Sequence, residues 1–400
     1  MRHPRRWAGA YALVVGLVAI VFAGAILTGP YRAVQRSDYT TYQTAARIVL
    51  EARGDCLYTV ACQSRAQREL IGDEPSFANG ALPFNSPPWL AALVTPLGAL
   101  PLGVAFAVFT LLSLALLAFA AWRLAWGGAG TRLLAVVLVL SAWPTVMGGI
   151  RGQSTLAVAG LLGLSVAASL TGHRLRAGAT LGLAALKPTL MPLWALRLVA
   201  ERRWLALVAA VAATAGLILV TVLVVSPKAV ADYPSYLLNL AGADTAPGVH
   251  VDQMINWRGA ALRLGAQDSI LAATGAYATL AVVGVAWWWA RHSPRGGAIG
   301  AAISLVATPL VITHANQHEA ILAAVGILVA VTAFEELRTR LAAGAIALQG
   351  LAWIGPLLSG QGAAWFLFIA LLACLALLTG LAWRERARYF SPVPVPAGTD

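Results

Sequence analysis

Apolar runs of bilayer length recur from one end of the chain to the other, each closed by a short polar or basic cluster. A helix rises 1.5 Å per residue, so about 20 apolar residues cross a hydrocarbon core of about 30 Å. The pattern predicts spans at 7–29, 102–123, 132–149, 154–171, 204–226, 269–290, 296–313, 319–334, 341–357 and 363–383. Arg2, Arg5 and Arg6 precede the first run. Further basic clusters stand at Arg123 and Arg132, Arg174 and Arg176, Arg197, Arg202 and Arg203, Arg291 and Arg295, Arg338 and Arg340, and Arg384, Arg386 and Arg388. All of these fit on one side, and arginine and lysine accumulate on the cytoplasmic side. Both termini are therefore expected in the cytoplasm of a multi-pass cell-membrane protein. The other side receives two long polar stretches, 30–86 and 227–268, and most of the acidic residues, Asp38, Asp55, Asp232, Asp252 and Glu319 among them. One membrane domain over 1–383 and a cytoplasmic tail at 384–400 account for the pattern.

Two segments depart from simple crossing. Residues 88–101 are apolar but short, and Pro96 and Pro101 interrupt them. Residues 176–198 lie between two arginine clusters that require the same side, which predicts a re-entrant helical hairpin with its tip at Lys187-Pro188. Proline lacks the amide and breaks the helix there. Non-helical backbone at membrane depth needs protein or water around it, so Lys187 is expected in a cavity. In the first long loop, SDYTTYQTAARIVLEAR opens with a Ser/Asp cap and continues with helical periodicity, which predicts a helix lying flat at the outer interface. CQSRAQREL predicts a second short helix. Cys56 and Cys62 share this loop, where a disulfide and two free thiols are both open, and Cys374 falls in the last span as a packing residue.

Composition strengthens the membrane reading: 59% of residues are hydrophobic and 11% charged, with a mean hydropathy of +0.75. Soluble domains carry about 25% charged residues. The net charge of +12 does not indicate nucleic acid, because the basic residues sit in short clusters between apolar runs. The first run is too long for a cleavable signal. No Gly-rich phosphate loop is present, so no nucleotide or other cofactor is expected.

The spans hold almost no ionisable residues, whereas transporters place them at the midplane. Polar residues gather near the outer rim, which favours an enzyme acting on a lipid-linked substrate over a flippase or transporter. Asp38 is the leading candidate for a general base on a sugar hydroxyl, and it would also serve as a plain helix cap. Asp55 is the second carboxylate. Lys187 is suited to a phosphate as a point charge, or it snorkels to the interface. In the turn Arg151-Gly152-Gln153, Gln153 suits a sugar and Arg151 a phosphate, or both are solvated. Asn256-Trp257-Arg258 is a basic and aromatic trio suited to a glycan phosphate. His314, His318 and Glu319 lie within six residues of one another without a recognised metal spacing. No metal is expected, and an imidazole beside a phosphate is the favoured reading.

Several blocks, in order, resemble glycosyltransferase family 87, the bacterial polyprenyl-phosphate-mannose-dependent transferases of the GT-C class. They are SDYTTYQTAARIVLEARGDCLY, FNSPPWLAALVTPLGALP, GQSTLAVAGLLGL, AGATLGLAALKPTLMPL, NWRGAALRL and TPLVITHANQHEAIL, within residues 7–335. The chain departs from the family at Trp257, where serine is usual, and at Asn85, where an aromatic is common. The resemblance implies an all-α GT-C-type bundle of about ten transmembrane helices with re-entrant or short helices and a long first extracytoplasmic loop. It implies inverting transfer of a mannosyl residue from a polyprenyl-phosphate donor to a lipoglycan or phosphatidylinositol mannoside acceptor on the outer face. Asp38 is then the expected base. Lys187, Arg258 and His314 are the expected donor-phosphate contacts, and Tyr42, Arg151, Gln153 and Asn256 the expected substrate contacts. A polyprenyl-phosphate-dependent arabinofuranosyltransferase and a lipid-linked sugar flippase are the alternatives.

Overall fold

The computed structural model describes residues 34–72, 82–125, 127–241, 251–266, 269–334 and 360–390. The spans expected at 7–29 and 341–357, and the basic clusters at Arg2 to Arg6 and at Arg338 and Arg340, lie outside the described residues. Within them the regular structure is helical: α1 (Tyr39–Leu50), α2 (Val60–Ile71), α3 (Pro88–Val94), α4 (Leu102–Leu124), α5 (Ala129–Leu140), α6 (Trp143–Arg151), α7 (Thr155–Leu170) and α8 (Arg174–Leu183). There follow α9 (Pro192–Ala200), α10 (Trp204–Val224), α11 (Pro227–Ala241), α12 (Trp257–Arg263), α13 (Ser269–Ala290), α14 (Gly296–Val311), α15 (Ile321–Ala333) and α16 (Gly360–Phe390). Among the described residues four helices, α4, α10, α13 and α16, are long and apolar enough to cross a membrane.

The span expected at 132–149 is two helices, α5 and α6, bent by 59°. Pro144, in the first turn of α6, cannot donate to the carbonyl of Leu140, and its ring would strike that carbonyl in a continuous helix. Counted as one crossing, the bent pair makes a fifth candidate span. Helices α7 and α14 have 16 residues each, about 24 Å at the α-helical rise, and so fall short of a full bilayer core.

The expected hairpin has a break at its tip. After α8 and a short 3₁₀ turn, Lys187 leaves the helical region at φ −141°, ψ 82°, and a second turn at Pro188–Leu190 leads into α9. The two arms return to the same end of the bundle, where the Arg203 guanidinium donates to the Ser169 carbonyl at 3.1 Å. Helix α8 lies against α10 with Gly178 and Gly182 directly on the backbone of Ala206 and Ala210. Any side chain at either glycine would overlap a carbonyl, and such small-residue contacts are how helices approach closely where no water drives them together.

The bundle is polar along its axis. At one end, Arg197 donates to the Gly296 carbonyl at 3.2 Å, and Arg388 lies 3.1 Å from Glu385. At the other end the first loop folds over the helices. Helix α1 is buried along most of its length and is tied down by Gln43, which donates to the Leu100 carbonyl at 2.7 Å. Both loop helices predicted from the sequence are present, and Cys56 and Cys62 form a disulfide. An aromatic wall joins this loop to α11: the Tyr58 ring lies 4.8 Å from Tyr236 and 5.7 Å from Tyr233, and stacks on Phe84. Tyr236 also donates to Asn85 Oδ1 at 2.6 Å, a contact that an aromatic at position 85 would not make.

Candidate active site

Between the folded loop, the α6–α7 turn, the Lys187 tip and the chain after α14 lies a cavity of about 380 Å³. Asp38, Tyr42, Arg151, Gln153, Lys187 and His314 all line it. Six of the eight side chains singled out in the sequence thus meet in one space, although they span 277 positions from Asp38 to His314.

Asp38 begins α1 but does not cap it: no backbone amide donates to its side chain. Its Oδ2 instead accepts from Gln153 Nε2 at 2.6 Å. The α6–α7 turn that presents Gln153 depends on Gly152, which sits in the left-handed region at φ +60°. A β-carbon there would come within 2.7 Å of Tyr39 Cβ and 2.8 Å of the Phe106 ring, so glycine alone permits this approach. The Tyr42 hydroxyl lies 3.3 Å from both Gln153 Oε1 and Ser154 Oγ. Burial pushes the Tyr42 hydroxyl above its ordinary range, so it is a neutral donor.

Lys187 is held from two sides. Its ammonium pairs with Glu319 Oε1 and donates to Thr155 Oγ1 at 2.9 Å. Glu319, expected from the sequence at the outer rim, is buried in the cavity wall, where it also accepts from His318 Nε2 at 2.9 Å and from the Asn316 amide at 2.7 Å. The tip itself is fixed by Trp89, whose indole donates to the Ala185 carbonyl at 2.6 Å. Lys187 does not snorkel along an apolar surface: its charge is met inside the protein.

Arg151, in the last turn of α6, lines the cavity with no ion-pair partner among the described residues. Arg258 does not line it. It stands behind His314 and donates to His314 Nε2 at 2.9 Å. Asn256 requires a correction. It was expected as a substrate contact, but its amide is fully used by backbone: Oδ1 caps α12 by accepting from the Gly259 amide at 2.8 Å, and Nδ2 donates to the Ile312 and Thr313 carbonyls at 2.6 and 3.0 Å. Asn256 is buried and holds the second loop to the end of α14. Trp257 likewise turns away, donating to Thr279 and packing edge-on against Phe368. Asp55 is exposed and off the cavity. No group of three metal-type ligands occurs among the described residues, and His318 and Glu319 bind each other.

Sequence reasoning missed Glu319 as the partner of Lys187, with Thr155 beside it. The available signal was energetic. A lysine at the tip of an apolar hairpin and a glutamate opening an apolar helix are each costly alone at membrane depth, and one relieves the other.

The cavity joins two carboxylates, Asp38 and Glu319, to Arg151 and Lys187 beside helices able to cross a membrane. The model for glycosyltransferase family 87 matches residues 84–313, more than half of the chain. No curated protein and no solved structure matches it. The matched region contains Arg151, Gln153, Lys187 and Arg258 and begins after Asp38. By this match the chain belongs to glycosyltransferase family 87.

Proposed function

We propose that the protein transfers a mannosyl residue from a polyprenyl-phosphate donor to a lipid-anchored glycan, a lipoglycan or phosphatidylinositol mannoside, at the outer face of the plasma membrane. One observation carries the reading: Asp38 and the cationic side chains Lys187 and Arg151 line the same cavity, with the Arg258–His314 couple at its edge. In the step proposed, Asp38 takes the proton of an acceptor hydroxyl as that oxygen attacks the anomeric carbon from the face opposite the phosphate. The bond from anomeric carbon to phosphate oxygen breaks, and polyprenyl phosphate leaves with inversion. Because the Lys187 charge is met by Glu319, Arg151 is the cavity-lining cation placed to meet the departing phosphate without such a partner among the described residues. The donor is already activated, so no nucleotide enters the step.

The outer-face placement has two supports. The Cys56–Cys62 disulfide belongs to an oxidising compartment. The arginine-rich end of the bundle lies opposite the cavity, as it would with that end in the cytoplasm. About ten crossings require that 7–29, 341–357 and the shorter apolar helices α7, α14 and α15 cross as well as the four long helices and the bent pair.

The test is transfer by the purified protein in detergent, with polyprenyl-phosphate mannose and a phosphatidylinositol mannoside, read by mass spectrometry of the extracted lipids. A product heavier by one hexose supports the proposal. Turnover of polyprenyl-phosphate arabinofuranose in its place would reassign the sugar. No new glycosidic bond with either donor, but donor movement across vesicle bilayers, would make the protein a flippase.

A further inference from the structure

We infer that Gln153 and Tyr42 are positioning residues for Asp38 and not sugar ligands: the Tyr42 phenol fixes which way the Gln153 amide faces, and the amide fixes the carboxylate. The inference rests on Asp38 being the base. A glutamine presents a donor at one corner and an acceptor at the other, and only its neighbours decide which is which. Here the neighbours do decide. The Ser154 backbone amide and hydroxyl reach the Tyr42 oxygen at 3.4 and 3.3 Å, and with both donating, the phenolic proton is left to be given. Oε1 of Gln153 lies 3.3 Å away to receive it. With Oε1 committed to Tyr42, Nε2 faces Asp38 Oδ2 at 2.6 Å. The reversed amide would set an oxygen against the carboxylate oxygen and turn its amino group to a phenolic oxygen already taken by the Ser154 amide, so the hydrogen bond to Asp38 would be lost.

The rest of the surroundings supports a fixed geometry. Tyr42 is 4% and Gln153 8% exposed, so each offers little surface to the cavity it lines, and their polar atoms are engaged with protein. The Asp38 main chain is held by the Thr41 hydroxyl, which donates to the Asp38 carbonyl at 2.8 Å. The turn carrying Gln153 is locked by Gly152 against Tyr39 and Phe106. One carboxylate oxygen of Asp38 is thus engaged, and Oδ1 is directed to the acceptor hydroxyl. The line from Ser154 and Tyr42 through Gln153 to Asp38 makes the carboxylate a rigid group on an otherwise open cavity wall.

The experiment measures kcat and KM for donor and acceptor in Gln153→Leu, Tyr42→Phe and the double variant, each also combined with Asp38→Asn. Thermal midpoints are matched, and Gln153→Met replaces Gln153→Leu if the latter does not fold. Loss of orientation lowers kcat of Gln153→Leu by about 10–100-fold with both KM values unchanged. Tyr42→Phe falls by less, and the double variant matches Gln153→Leu. In the Asp38→Asn background neither substitution lowers turnover further. A raised KM with normal kcat would make Gln153 a sugar contact, and multiplicative losses in the Asp38→Asn background would show that it acts elsewhere; either overturns the inference. Near-normal turnover by Asp38→Asn alone would instead remove Asp38 as the base.

Discussion

Two buried ion pairs stand at opposite ends of this bundle, and they are built differently. At the arginine end, Arg197 pairs with Glu201 one turn later in the chain at 2.8 Å. The guanidinium also meets the Gly296 carbonyl, the face of Trp287 at 5.8 Å and Gly300, while Glu201 takes Arg203 as well at 2.7 Å. At the cavity end, Lys187 pairs with Glu319 across 132 residues. The glutamate side chain is 2% exposed but the lysine 26%, opening into the cavity. Removing two charges from water costs as much as their attraction returns, so neither pair is a strong source of stability. A local pair enclosed by protein fixes a helix end. A long-range pair whose cation is 26% exposed holds a charge at the cavity wall.

This contrast predicts that changes at the cavity end cost chemistry and changes at the arginine end cost stability. The largest effect is expected at Asp38. Asp38→Asn preserves size and the contact with Gln153 but cannot accept a proton, so turnover should fall by about 10²–10⁴-fold with an unchanged thermal midpoint in detergent. Next is Glu319→Leu, which leaves the Lys187 ammonium unpaired and should cost about 3–5 kcal/mol of stability as well as donor turnover. Adding Lys187→Met should restore most of the midpoint and none of the turnover. If both return together, the pair is architecture like its counterpart. At the other end, Arg197→Met should lower stability by about 1–3 kcal/mol, while the folded protein keeps its kcat and KM. A selective loss of kcat there would break the comparison. Asp55→Asn, at an exposed carboxylate off the cavity, should change stability by no more than about 0.5 kcal/mol and leave transfer unaltered.

The limits of the sequence reading follow from the same distinction between local and long-range partners. Asp38, Arg151, Gln153, Lys187 and His314 stood out because each is a polar residue where an apolar run ends, and such positions are costly unless used. The hairpin tip was legible because Lys187-Pro188 breaks a helix whatever surrounds it. The bend between α5 and α6 was legible in principle from Pro144, though the apolar run continues through it without interruption. Asn256 was misread because its sequence neighbours, Trp257 and Arg258, suggested a ligand cluster. The local clue was the glycine three residues on, whose amide an N-cap asparagine meets. Glu319 could not be assigned to Lys187 from spacing, since 132 residues and several helices separate them. The disulfide was one of two open alternatives, because thiol proximity depends on how the loop folds back on itself.

The aromatic wall has a consequence for how the molecule is made. Its halves are made far apart in time: Asn85 meets Tyr236 across 151 residues, and Tyr58 meets Tyr233 and Tyr236 from still farther upstream. At a translation rate of about 5–20 residues per second, roughly 8–30 s separate the emergence of the two sides. During that interval Tyr58 and Phe84 face no α11, while α4 through α10 are being inserted. The wall therefore closes before the rest of the cavity lining, His314 to Glu319, has emerged, and a chain arrested before Tyr233 would carry Tyr58 without the two tyrosine rings of α11 that it meets.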